Sequence, residues 1–248
     1  MKAARFVLFD YGNTLVPWGT RESAAVDRVV ARTVAARVPG LDAASFEGRA
    51  AGVRDALIRG TRATGREVAN EEFAAALARE AGIGAAPPGL AAALEERVGE
   101  AFVGALRLPP DTLPVLDALR EGRRLGLVSN YYLPRPLHLS LDRLGIRPRL
   151  SAAVVSGEVG FVKPRPEPFL AALELLGADP RECVFVGDNP SADVAGAAAL
   201  GMRTVLTREW HATALPADRD PGEGAAPAPD RVVDRLADLP AALDALSR

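Results

Sequence analysis

The chain has 248 residues, of which 48% are hydrophobic and 25% charged, with a formal net charge of −2. That is ordinary globular composition for one large domain, or one domain with an inserted partner, and near-neutral charge argues against nucleic acid or an anionic membrane surface as a partner. The single cysteine, Cys183, excludes an internal disulfide and fits a reducing cytoplasm, while the short apolar run between Arg5 and Asp10 is too brief for a signal-peptide core and nothing predicts a membrane span.

Residues 5–9 read as a short buried strand that delivers Asp10 into the turn Asp10-Tyr-Gly-Asn-Thr14. Four helical stripes follow. Val26, Val29, Val30 and Val34 make the first; Phe46, Ala50, Val53 and Leu57 the second. Phe73 and Leu77 make a third, with Asn70 as its expected N-cap and Gly82 as its stop. Leu90, Leu94, Val98 and Phe102 complete the set, and no strand signal interrupts it between about Trp18 and Leu108. Four amphipathic helices in succession predict a small bundle.

Strands and helices alternate from there on. Helix is expected over 112–121, strand over 125–128, helix over 136–144 closed by Gly145, and strand over 152–155. A helix over 167–176, a strand over 183–186, a small-residue helix over 192–200 stopped by Gly201, and a strand over 203–206 continue the pattern. The Pro-, Gly- and Ala-rich segment 216–230 reads as an exposed, mobile loop, followed by a strand at 231–233 and a helix at 239–246. Alternation of this kind predicts the α/β class: a doubly wound parallel sheet, Rossmann-like, with a helical bundle inserted after the first strand. The expected domains are residues 1–16 with 109–248 as the α/β core, and 17–108 as a helical cap over the strand ends.

Polar residues gather where the apolar runs end, which is where parallel sheets carry their chemistry. Asp10 ends the first, Ser129-Asn130 the second, and Gly187-Asp188 with Asp193 the fourth; Lys163-Pro164 lies between. Only Lys2 and Lys163 among the 30 basic residues are lysines, so an internal lysine stands out against an arginine background. Cys183 sits inside a predicted strand and reads as core. Arg28, Arg32, Arg49, Arg54, Arg59 and Arg62 read mostly as a solvated helix face.

Asp10-x-x-x-Thr14, Ser129-Asn130, Lys163-Pro164 and Gly187-Asp188-x4-Asp193, in this order, resemble the four motifs of the haloacid dehalogenase-like hydrolases. The resemblance covers the whole chain and matches the subclass with a helical cap between motifs one and two. It implies a central strand order of 5-4-1-2-3. It also implies that Asp10 is the nucleophile and forms an aspartyl-phosphate, with Lys163 neutralising charge between nucleophile and phosphate. Thr14, Ser129 and Asn130 would bind or orient the phosphoryl group. Mg2+ would be held by Asp10, the Gly12 carbonyl and Asp188, with Asp193 binding directly or through water; hard oxygen donors suit that ion. Trp18 and Arg21 follow the first motif closely and are placed to face a substrate under the cap, and packing against the cap suits Trp18 equally well. The implied substrate is a small phosphorylated metabolite.

Gly12 departs from the pattern. Phosphatases of the family usually place a second aspartate there to protonate the leaving group, a contribution of roughly 10²–10⁴-fold. His138, His211 and Glu22 are the candidates to replace it. Three other readings compete with a phosphatase. A phosphonate hydrolase needs a cap lysine, and none lies between Lys2 and Lys163. A 2-haloacid dehalogenase would carry a tyrosine at position 12, whereas Tyr11 stands one place early. A member that binds a phosphorylated ligand or a protein without efficient turnover is kept open by Gly12.

Overall fold

The computed structural model describes residues 4–210 and 226–246. Six parallel strands form one sheet in the order β3-β2-β1-β4-β5-β6: β1 Phe6–Phe9, β2 Arg124–Ser129, β3 Ala152–Val155, β4 Cys183–Gly187, β5 Arg203–Thr207 and β6 Arg231–Val233. The expected five-strand order is observed, with β6 added beyond β5. Every residue of β1 and β4 is buried, the condition that makes a parallel strand read as a continuous apolar run.

Alternation along these strands feeds two apolar layers. Val7, Phe9, Val184 and Val186 join one core; Phe6, Leu8, Cys183 and Phe185 join the other. The first layer is closed by α5 (Thr112–Arg120), α6 (Pro134–Arg143) and α10 (Leu239–Leu246), through Leu116, Leu141 and Leu243. The second is closed by α8 (Pro166–Leu176) and α9 (Gly196–Ala199), through Phe169 and Ala197. A one-turn helix, α7 (Ser156–Val159), follows β3 directly. Gly145 and Gly201 end their helices at φ 70° and 85°, a conformation that glycine adopts without penalty.

Between β1 and α5 lie α1 (Thr20–Ala35), α2 (Ala43–Thr64), α3 (Asn70–Glu80) and α4 (Leu90–Ala105). α1 packs on α2 and α4, α3 packs on the same two, and α4 also touches α6. The predicted stripes are the inner faces: Val26, Val30, Val34, Phe46, Phe73, Leu77, Leu94 and Phe102 are all buried. The connection from α2 to α3 is tied to the loop before Lys163, where Val162 N donates to Gly65 O and Glu67 N to Gly160 O, each at 3.0 Å.

Two local expectations are corrected. Asn70 is the first residue of α3 rather than its cap; Glu72 accepts the Ala69 amide, and Asn70 Nδ2 donates to Ala91 O at 2.7 Å, which joins α3 to α4. The helix expected over 192–200 is instead a π-helical turn, Pro190–Ala195, running into α9. The 216–230 loop falls mostly outside the described residues. No described helix is long and apolar enough to cross a membrane.

Candidate active site

The sheet reverses its direction of growth at β1: β2 and β3 are added on one side, β4 to β6 on the other. Such a reversal leaves a crevice outside the strand ends. Asp10 emerges there, with its backbone N–H held by Val186 O at 2.9 Å. The turn that follows uses Asn13 at φ 56°, and asparagine tolerates the left-handed region better than most residues. Asn13 Oδ1 then accepts the Trp18 amide at 2.9 Å, which fixes Trp18 over the turn.

Lys163 organises the site. It is 3% exposed, and its ammonium donates three hydrogen bonds: to Asp10 Oδ1 at 2.7 Å, to Asp193 Oδ1 at 2.7 Å and to Val128 O at 2.8 Å. Burial alone would lower its pKa, but the two carboxylates outweigh burial and hold it above the usual lysine value. Asn130 clamps the same residue by its backbone. Its Oδ1 accepts Lys163 N at 2.9 Å and its Nδ2 donates to Lys163 O at 3.1 Å. The Ser129-Asn130 pair therefore does two jobs, with Ser129 on the cavity wall and Asn130 positioning the lysine.

Asp188 and Asp193 come from beyond β4. One carboxylate oxygen each from Asp10, Asp188 and Asp193 lie within 4.8 Å of one another. Asp193 Oδ2 also accepts the Asn189 amide at 3.0 Å. Gly187 makes room for this: a Cβ on Gly187 would stand 2.2 Å from Asp193 Oδ2. Asp193 does not cap the following turn. Asn189 does, with Oδ1 accepting from Ser191 N at 3.1 Å and Ala192 N at 2.8 Å. Burial pushes the Asp10 carboxyl up to about 6, against the pull of Lys163. It pushes Asp188 well above the carboxylate range, and the charges of Asp10 and Asp193 add to that shift. Three clustered carboxylates against one ammonium leave an excess of negative charge in a buried place.

A cavity of about 500 Å³ opens from Asp10, Gly12, Ser129, Lys163 and Asp188 into the helical block α1–α4. Trp18 lines it and also packs on Phe102 of α4. Thr14 does not line it: the residue is fully buried behind Asp10, with Oγ1 3.4 Å from Asp10 Oδ2. Arg21 is exposed and lies off the cavity wall. The arginine reading holds for most of the six. Arg28, Arg32, Arg49, Arg59 and Arg62 are exposed, with Arg62 at the border of the cavity; Arg54 is the exception, half-buried in the cavity wall and ion-paired with the buried Asp27.

Neither of the two described candidates for a replacement acid, Glu22 and His138, lines the cavity. Glu22 accepts the Gly19 amide at 3.0 Å and closes the start of α1. His138 pairs with Glu158 at 2.9 Å on α6, away from the lining. His211 lies outside the described residues. Cys183 is fully buried, and burial pushes its thiol up to about 12. Tyr131 and Tyr132, on the cavity wall directly after Asn130, were missed in the sequence; their place next to a motif was the available signal.

Comparison with known proteins agrees with this geometry. The family model described as haloacid dehalogenase-like hydrolase matches residues 4–201. A ribulose-1,5-bisphosphate 5-phosphatase of Halopiger xanaduensis is 34% identical over 95% of this chain and 98% of its own length. Other curated relatives match more locally, and the chain spans about half the length of several of them. Among solved structures, a HAD phosphatase from Thermococcus onnurineus superposes with a TM-score of 0.65 at 25% identity, covering 98% of both chains. A 2-haloacid dehalogenase from Pseudomonas syringae pv. Tomato gives 0.67 at 23% identity, covering 99% of this chain and 100% of that one, a likeness of fold alone.

Proposed function

The chain belongs to the haloacid dehalogenase-like hydrolase family, and from that premise we propose that it is a Mg2+-dependent phosphatase of a small phosphorylated metabolite, working through an aspartyl-phosphate on Asp10. The observation that carries this reading is the Lys163 ammonium bonded to Asp10 and Asp193, with Asp188 completing a three-carboxylate cluster. The excess negative charge and the all-oxygen donors fit a small hard cation. Asp10, Asp188, Asp193 and the Gly12 carbonyl would hold Mg2+, which when bound supplies charge neutralisation at the phosphoryl oxygens.

The chain's own residues do the rest. The Asp10 carboxylate attacks phosphorus while Lys163 keeps it ionised and oriented. The Ser129 hydroxyl donates to a phosphoryl oxygen. Asn130 holds Lys163 in register. Helices α1–α4 act as a cap that walls the cavity and keeps bulk water from it. Gly12 brings no carboxyl group and neither Glu22 nor His138 lines the cavity, so on this reading the leaving group takes its proton from solvent. The lone cysteine fits a cytoplasmic setting.

Gly12 also favours one second reading, a phospho-ligand or protein binder with weak turnover. A 2-haloacid dehalogenase is disfavoured because that chemistry has no use for the Asp188–Asp193 cluster. The test is phosphate release from p-nitrophenyl phosphate and an alkyl phosphate, with and without Mg2+, in the protein and in Asp10→Asn. Mg2+-dependent release that disappears in the variant is the expected result. Absence of Asp10-dependent release from either ester would sink the phosphatase reading and send attention to halide release and ligand binding.

A further inference from the structure

Past Gly12, the wall of the cavity becomes aromatic. Trp18 packs on Phe102 with centroids 5.1 Å apart, and Phe102 stacks on Tyr131 at 4.4 Å and 23°. Tyr131 meets Tyr132 edge-on at 5.5 Å, and Tyr132 meets Phe73 the same way at 5.5 Å. All of these rings line the cavity that holds Asp10. Burial raises the pKa of both tyrosines, so the phenols carry no charge.

The charged groups on the same wall are already matched. Arg54 is shared between Asp27 and Asp55. Glu67 accepts the Ser156 hydroxyl and, at 2.9 Å, the Val68 amide. Arg62, the remaining cation there, is not free either. A second phosphate would find no spare cation among the described residues, and a polyol lying on the aromatic stretch would strand its hydroxyls there, the polar Ser23, Asp27, Thr61 and Glu67 standing elsewhere on the lining.

Position 12 points the same way. Gly12 is not in the left-handed region, and a Cβ built on it would meet only Trp18 Cβ, at an ordinary 3.8 Å. Neither the backbone nor the space at the Cβ requires glycine, and whatever the reason for it, the carboxyl is missing. A leaving group that departs unassisted must be a stable anion. A phenol, with a pKa of about 10 like a tyrosine side chain, meets that need far better than an aliphatic alcohol.

Building on the phosphatase reading, we propose that the substrate is an aryl phosphate monoester, with its ring against the Trp18–Phe102–Tyr131 wall and its phosphoryl group at Asp10. The Asp10–phosphorus bond forms as the phosphorus–aryl oxygen bond breaks. The electron pair leaves on the phenolate, which takes a proton from water, and a second water then releases inorganic phosphate from Asp10.

Two measurements on the full chain with Mg2+ test this. The first compares kcat/KM for phenyl phosphate, glycerol 2-phosphate and ribulose 1,5-bisphosphate. The second compares inhibition by phenylphosphonate and methylphosphonate, which reports ring binding without leaving-group chemistry. Phenyl phosphate should lead both other esters by at least about tenfold, and phenylphosphonate should inhibit at an about tenfold lower concentration, as expected for burying one ring. Trp18→Ala, or Tyr131→Leu if the first variant folds poorly, should narrow the phenyl-to-methyl ratio. Equal or faster turnover of the bisphosphate or the polyol ester, or phosphonates that bind alike, would overturn the proposal and leave the phosphatase reading standing. If no ester gives Asp10-dependent release, it is the phosphatase reading that fails, and the phosphonate ratio still decides whether the cavity takes a ring.

Discussion

Replacing Lys163 by methionine should destabilise the metal-free protein substantially. Methionine keeps most of the stem but removes the charge and all three donors. In the native site those donors end on Asp10, Asp193 and Val128 O at 2.7, 2.7 and 2.8 Å, with the lysine 3% exposed. Removing one partner of a buried ion pair costs roughly 3–5 kcal/mol, and a stranded buried carbonyl roughly 1–3 kcal/mol. The two terms do not add in full, because the abandoned carboxylates take up protons, so we expect a loss of about 3–5 kcal/mol at neutral pH. In a chain of this size 1 kcal/mol moves Tm by roughly 2–4 °C, which puts the expected fall at roughly 6–20 °C. Calorimetry of wild type and variant in EDTA measures it, and the deficit should shrink in acid, where the carboxylates are neutral in both proteins. A variant that melts within about 2 °C of wild type in EDTA, against the several degrees expected from a broken buried pair, would refute the reading of Lys163 as the counter-charge of this cluster.

Stability without metal should fall as pH rises. The folded-state pKa of Asp10 is raised from 3.8 to about 6, so its contribution is fully present below 3.8 and lost as pH climbs through about 6. Asp188 is shifted in the same direction. Mg2+ binds the ionised carboxylates, so the gain in Tm on adding it should be larger at high pH than at low; a gain that shrinks with rising pH would contradict the assignment. Gly12→Asp should fold, given the 3.8 Å clearance, and should raise turnover of an alkyl phosphate by roughly 10²-fold or more, with little change for an aryl ester. Parallel kinetics on the two esters would check it, and no change for the alkyl ester would mean that a proton donor is already in place. Cys183 should ignore a thiol reagent in the native state at mildly alkaline pH and react once the chain is unfolded, since its thiol is buried and pushed up to about 12. Rapid labelling of native protein would count against that.

Much of the frame was legible in the sequence because it depends on local signals. β1 and β4 are buried on both sides and so read as short apolar runs. The polar residues that end them, Asp10 and Gly187-Asp188, can only lie at the strand ends where the sheet opens. The helical stripes from Val26 to Phe102 announced buried faces by their 3.6-residue period. Lys163 stood out because almost every other cation is arginine.

Partnerships across the sequence needed the fold. Thr14 looked like a ligand-binding hydroxyl and is buried behind Asp10, because the turn folds it back onto the strand end. Asn130 reaches across 33 residues to hold Lys163 by its backbone, a contact that no spacing announces. Arg54 and Arg59 stand five residues apart on α2, yet one pairs with Asp27 in the cavity wall and the other faces outward. Helical periodicity tells which side of a helix is apolar. It does not tell whether a given apolar or charged residue meets another helix, solvent or the mouth of a cavity, because that depends on where the whole block docks. Strand ends and their carboxylates were therefore determined by the sequence alone, while the aromatic cavity wall beside them was decided only by the packing of helices α1–α4 over the sheet.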